Sequence, residues 1–190
     1  MDGGVNSVVA AERMADGAIS ALSTAMRGMK AEGGWAVVCT EMTEIHQTSD
    51  VAPSVELRLW SDQDIPMHAR IAEKIHEHHS LAGVELSHSG YTSSNLWSRE
   101  IPMAPMAMPT SSYFNDPVQA RVMDKQDIKN LRRAHRAAAL RARTAGYDLV
   151  YVYAGHGVSI FQQFLSRAPP ISGTTNMVVR SKTVHACCAK

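Results

Sequence analysis

The chain has 190 residues and a formal net charge of +1, with 45% hydrophobic residues. That length can enclose one core, and the near-neutral balance excludes the basic footprint of a nucleic-acid or anionic-membrane partner. No apolar run is long enough to span a bilayer, and the opening MDGGVNSVVAAERMADG lacks the basic-then-apolar order of a secretory signal. The three cysteines, Cys39, Cys187 and Cys188, make no disulfide framework, so a cytoplasmic protein is expected.

The elements read in chain order as helix, strand, loop, three times over. AISALSTAMRGMKAEGG carries Leu22, Met26 and Met29 at helical spacing and stops at Gly33-Gly34. WAVVCTE is an apolar run of strand length. In SDQDIPMHARIAEKIHEHHSLAG, Ser61 and Asp64 have capping-box spacing, and Ile71 and Ile75 mark a buried face. LAGVEL is the second strand. DKQDIKNLRRAHRAAALRARTAG follows, with Asp124 as cap, Ile128, Leu131, His135 and Ala138 on one face, and Gly146 as the stop. YDLVYVY is the third strand.

Continuous apolar strands between amphipathic helices predict a parallel sheet covered by helices, either doubly wound or a (β/α) barrel. No G-x-G-x-x-G or Walker loop follows a strand, which counts against dinucleotide and P-loop folds. The long connections Thr43–Trp60 and Ser87–Met123 are then expected as loops over a barrel mouth.

Chemistry-bearing residues gather at the C-terminal strand ends, where parallel α/β folds place their sites. Tyr153 and His156 leave the third strand close together and can handle protons; the alternative is a buried tyrosine and a loop histidine. Glu85 ends the second strand with His88 three residues on. A carboxylate facing a barrel interior needs a partner or a ligand donor, and a structural arginine or a flavin edge each satisfies it. His76-Glu77-His78-His79 resembles a metal cluster, but it closes a helix, where histidines suit the dipole; no metal site is expected. Met103, Met106 and Met108 either pack on the rim or cover a hydrophobic ligand. Cys39 reads as a small strand residue with an inert thiol.

The motifs KAEGGWAVVCTE, ELRLWSDQDIP, LAGVELSHSG, AGYDLVYVYAGHG and FQQFLS, in this order and spacing, resemble the N-terminal flavin barrel of the Old Yellow Enzyme superfamily. The resemblance runs from about Ala25 to Ser166 and is nearest to the trimethylamine/dimethylamine/histamine dehydrogenase branch, with the 2,4-dienoyl-CoA reductases as cousins. It implies an α/β fold, a partial (β/α)8 TIM barrel over residues 23–167, and FMN at the C-terminal mouth. It places Glu85 at the flavin pyrimidine, Cys39, Thr40 and Glu41 on the strand passing under the isoalloxazine, and Tyr153 with His156 over the flavin facing substrate. Met42 falls in the substrate pocket, where relatives carry Tyr or Gln. The implied substrate is a small molecule, a methylated amine or an enone. No nucleic-acid, membrane or metal partner is implied, and full-length relatives are expected as homo-oligomers.

The pattern also departs from the family. Residues 1–22 match neither the family's first strand nor its V-P-H-C stretch, and after Ser166 the expected Tyr-Gly-Gly-Ser-x-Glu-Asn-Arg motif does not follow. Strand 1, strands 5–8, the FMN-phosphate loops, the iron–sulfur cysteines and the nucleotide-binding domains are therefore expected to lie outside this sequence. Asn176–Lys190 is what codons for Glu-Tyr-Gly-Gly-Ser-Leu-Glu-Asn-Arg-Ala-Arg-Leu-Leu-Arg-Glu yield when read one base late. The segment 168–190 is thus expected to be a frameshifted tail, with Cys187 and Cys188 as accidents of frame; the nucleotides across Arg167 test it. Alongside the amine dehydrogenase reading stand an NAD(P)H-dependent enoate or dienoyl-CoA-type reductase and a non-functional remnant.

Overall fold

In a computed structural model the described residues are 21–50, 57–95, 98–109 and 118–165, without the side chains of Ala21 and Leu22. The expectations for the N-terminal segment up to residue 20 and for the tail 168–190 lie outside them. Helix α1 spans Ala21–Glu32 and ends at Gly34, whose φ of 91° belongs to the left-handed region. The helical spacing of Leu22, Met26 and Met29 predicted its buried face, but Met29 is 60% exposed and the buried positions are Ser23, Arg27, Gly28 and Ala31. The reason is a close approach: a Cβ at Gly28 would lie 2.9 Å from the aliphatic stem of Lys74, so the helix leans in along its small-residue side.

Strand β1 is Val37–Glu44 and β2 the two-residue Leu57–Arg58. Helix α2, Ile65–His76, starts after the expected capping box of Ser61 and Asp64 and buries Ile71, Ala72 and Ile75. Strand β3 is Leu81–Ser87. Short strands β4 (Met103–Ala104), β5 (Met108–Pro109) and β6 (Gln119–Val122) precede helix α3, Lys125–Thr144. A second capping box opens α3: Asp124 Oδ1 accepts the Asp127 N–H at 2.7 Å, and Asp127 Oδ2 accepts that of Asp124 at 2.9 Å. Replacing Asp124 with Ala removes one half of this exchange and should lower stability by about 1 kcal/mol, read as a drop in Tm by circular dichroism with the α-helical spectrum kept. Strand β7, Leu149–Val152, and helix α4, Ile160–Leu165, complete the described chain.

The strands form a parallel sheet of order β2-β1-β3-β7. From β1 through β3 to β7 the sheet advances in one direction, so right-handed crossovers put each intervening helix on the same face. Val38, Ala82, Val84 and Leu86 on that face pack with Ala31 of α1, Ile71 and Ile75 of α2, and Leu131, Ala138 and Ala142 of α3. A doubly wound sheet would carry helices on both faces; among the described residues the opposite face, with Cys39, Gly83, Glu85 and Tyr151, bears none. The sequence left doubly wound and barrel folds open, and this one-sided layering favours the barrel.

The two long connections are more than loops. The first contains β2, tied in by His68, whose Nε2–H donates to the Arg58 carbonyl at 3.0 Å while its Nδ1 accepts the Tyr147 hydroxyl at 2.9 Å. The second contains the small sheet β4-β6-β5, parallel on one side and antiparallel on the other. Met103 is buried in the core there, whereas Met106 and Met108 are half-buried. Among the described residues no helix is long and apolar enough to cross a membrane.

Candidate active site

The open face of the sheet is arranged in levels by the strand register. Cys39 pairs with Gly83 and Gly83 with Leu149; one level up, Met42 pairs with Glu85 and Glu85 with Tyr151. Between those levels β1 takes three steps while β3 takes two, which is a β-bulge. The hydroxyls of Thr40 and Thr43 donate to the Glu41 carbonyl at 3.0 and 3.1 Å, and Thr40 Oγ1 accepts the Glu85 N–H at 3.2 Å. Thr40 is buried, so its hydroxyl works within the bulge, while the consecutive Glu41 and Met42 are both half-buried.

Below this level the Cys39 sulfur and the Tyr151 ring lie together beside Gly83, and burial pushes the thiol up, with Tyr151 opposing. The sulfur is a thiol at neutral pH and not a nucleophile. Gly83 makes room for the pair, since a Cβ there would lie 2.6 Å from Cys39 Sγ and 3.2 Å from the Tyr151 ring.

At the end of β7 the Tyr153 hydroxyl and His156 Nδ1 are hydrogen-bonded, bringing together the two residues that the sequence singled out for proton handling. His156 has a φ of 57° and Gly157 one of 76°, so the turn holds two successive residues in the left-handed region. For a histidine that conformation is uncommon and is found where surrounding structure enforces it. Glu85 faces the same mouth. Burial raises its carboxyl above the usual range, the nearby His156 lowers it and Glu41 raises it. Glu41 itself is paired with the buried guanidinium of Arg27 at 3.5 Å.

His88 does not join this group. It is fully buried, its Nδ1 accepts the Gly90 N–H at 3.1 Å, and its Nε2–H therefore donates to Thr48 Oγ1 at 2.9 Å. Thr48 in turn donates to His46 Nδ1 at 2.9 Å, so three side chains clip the loop after β3 to the loop after β1. Burial pushes His88 down to about 3 from its ordinary 6.5. A histidine depressed in the folded state is protonated first in the unfolded chain. Its contribution is complete above about pH 6.5 and is lost as pH falls toward about 3. Denaturation midpoints should fall between pH 7 and pH 4, and His88→Gln should flatten that slope.

In the histidine cluster at the end of α2, His76 is engaged elsewhere: its Nε2 bonds to Asp148 Oδ2 at 2.8 Å. Among the described residues no three His, Cys, Asp or Glu side chains are grouped to hold a metal. Arg27, Tyr151, Ser159 and Gln162 support the mouth and were missed from sequence. Tyr151 left a signal, two residues before Tyr153 on one strand face, and Gln162 lies within the FQQFLS motif.

The sequence profile of the NADH:flavin oxidoreductase / NADH oxidase family matches residues 5–169. The chain belongs to that family. The match begins upstream of Ala25, where the motif resemblance starts. Dimethylamine dehydrogenase of Hyphomicrobium sp. is 34% identical over 74% of this chain, but that stretch is 20% of the relative. The NADPH dehydrogenase of Listeria innocua is 34% identical over 75% of this chain and 39% of its own length. The solved histamine dehydrogenase of Rhizobium sp. 4-9 superposes with a TM-score of 0.80 and 47% identity, over 87% of this chain and 24% of that one. The chain thus spans well under half of these relatives. Within the family, its one-sided parallel sheet is part of a flavin-type TIM barrel, and the strand ends carrying Glu85, Tyr153 and His156 are at the barrel's C-terminal mouth.

Proposed function

We propose that this chain carries part of the mouth of an FMN-dependent amine dehydrogenase, whose reaction is oxidative demethylation of a small methylated amine. The observation that carries the proposal is the Tyr153–His156 hydrogen bond at the strand end, in electrostatic reach of Glu85. The residues fit a flavin edge. Glu85 is half-buried, and its carboxylate has no hydrogen-bonded partner among the described residues, so it can accept from a ring N–H. Gly83, with no Cβ, keeps the floor beneath it low. FMN, when bound, supplies a two-electron acceptor for the substrate's C–N unit.

The chain's own groups then have proton work to do. A methylated amine arrives as an ammonium and must lose its proton before the nitrogen lone pair can assist loss of hydride from a methyl carbon. His156 and Tyr153, sharing one hydrogen bond, can take up that proton and pass it between Nδ1 and the phenol oxygen. The Glu85 carboxylate favours a cationic ligand over a neutral or anionic one. Met42, a thioether, offers methyl groups a soft contact and cannot accept from an ammonium as an amide carbonyl does.

A second reading, an NAD(P)H-dependent enone reductase, is supported by the NADPH dehydrogenase relative. Anaerobic mixing of the FMN-loaded protein separates the two. Bleaching of the oxidised flavin by dimethylamine supports the demethylating dehydrogenase; bleaching by NADPH with no response to methylated amines would overturn it.

A further inference from the structure

The turn that carries the Tyr153–His156 pair is held from outside by helix α4. Gln162 Oε1 accepts the Gly157 N–H at 2.6 Å. Ser159 Oγ donates to the Tyr153 carbonyl at 2.5 Å and accepts the Phe161 N–H at 3.2 Å. Between these two anchors lie His156 and Gly157, both left-handed. A Cβ added at Gly157 would meet nothing within 4 Å, so no packing on that side of Gly157 fixes the turn. The Val158 N–H closes it on the Gly155 carbonyl at 3.3 Å, and the bond between Gln162 and the Gly157 amide is the side-chain restraint added to that long backbone bond.

The next residue works on the other loop. Gln163 Nε2 donates to the Ser89 carbonyl at 2.9 Å, and its Oε1 accepts the Tyr91 N–H at 3.4 Å. Helix α4 is itself tied to the residue that follows β3 by the Ile160 N–H donating to the His88 carbonyl at 2.7 Å. Two consecutive glutamines on one short helix therefore hold the loop after β7 and the loop after β3.

We propose that Gln162 is a positioning residue for the Tyr153–His156 pair, acting through the Gly157 amide to keep His156 Nδ1 on the phenol. The role matters for turnover only if that pair is the reacting one, as proposed above. A left-handed histidine released from the turn relaxes to ordinary backbone angles and takes its ring away from Tyr153, since a hydrogen bond is lost within a few tenths of an ångström and a few tens of degrees.

The test is NMR of the 190-residue chain with 15N-labelled histidine, which needs neither flavin nor amine. Wild type and Gln162→Glu, which keeps an acceptor oxygen, should both show His156 Nδ1 at a hydrogen-bonded shift. Gln162→Met keeps length and helix preference but has no such acceptor, and should lose that shift. Gln163→Met, which loosens only the other loop, should keep it. Retention in Gln162→Met, or equal loss in Gln163→Met, overturns the role. If Gln162→Met loses its dispersed spectrum, Gln162→Asn, whose amide is one methylene too short, gives the same discrimination. Failure of amine turnover with this NMR pattern intact would refute the reaction and leave the positioning role standing.

Discussion

His156→Asn in the FMN-loaded protein is expected to slow amine-dependent flavin reduction by about 10²–10⁴-fold, the usual worth of a positioned general acid or base. Asparagine is chosen because it tolerates the left-handed φ of 57° at this position. The backbone turn therefore survives, and the loss is assigned to the imidazole. Tyr153→Phe removes the hydroxyl bonded to Nδ1 and should fall in the same range. The double variant should be little worse than either single, because two groups sharing one proton act as a unit. Stopped-flow traces at saturating amine, with flavin content measured in each sample, check all three. Rates within threefold of wild type for both single variants would remove the pair from the chemistry.

The largest stability effect outside the apolar core is expected at Gly83. Alanine there places a methyl 2.6 Å from Cys39 Sγ, inside van der Waals contact, on a central strand that cannot shift. Overpacking of this kind costs about 1–3 kcal/mol. Cys39→Ala removes the sulfur and leaves the space in which the new methyl fits. The double variant Gly83→Ala/Cys39→Ala should thus be more stable than the sum of the singles by at least about 0.5 kcal/mol. Urea denaturation of the four proteins closes the cycle, and simple additivity would show that the two positions do not compete for one space. Tyr151, which shares that space, should report the same changes through its fluorescence.

Local signals made most of the main elements legible in the sequence. Ser61 with Asp64 and Asp124 with Asp127 cap helices because a cap bonds within one turn of itself. Strand β3 reads as an apolar run because it is central. What escaped reading depends on contacts distant in sequence. Strand β2 is two residues long and exists by pairing with Thr43 and Glu44. The polar buried face of α1 follows from where α2 stands, which the spacing of Met26 and Met29 cannot express. The bulge in β1 leaves no more trace than two threonines three residues apart. At the mouth, Tyr153 and His156 were visible as neighbours, while Arg27 against Glu41 and Gln162 against Gly157 needed the fold to bring them together.

The bulge has a consequence for anyone retargeting this mouth. Because the hydroxyls of Thr40 and Thr43 lock the extra residue in place, position 42 can be varied as an independent dial, with its neighbours' outlook unchanged. Deleting one residue between Cys39 and Thr43 would act instead as a gear change. With the extra residue gone, β1 would step two-for-two with β3, the later side chains would keep their faces, and the mouth would lose one of the two adjacent side chains that the bulge presents to it.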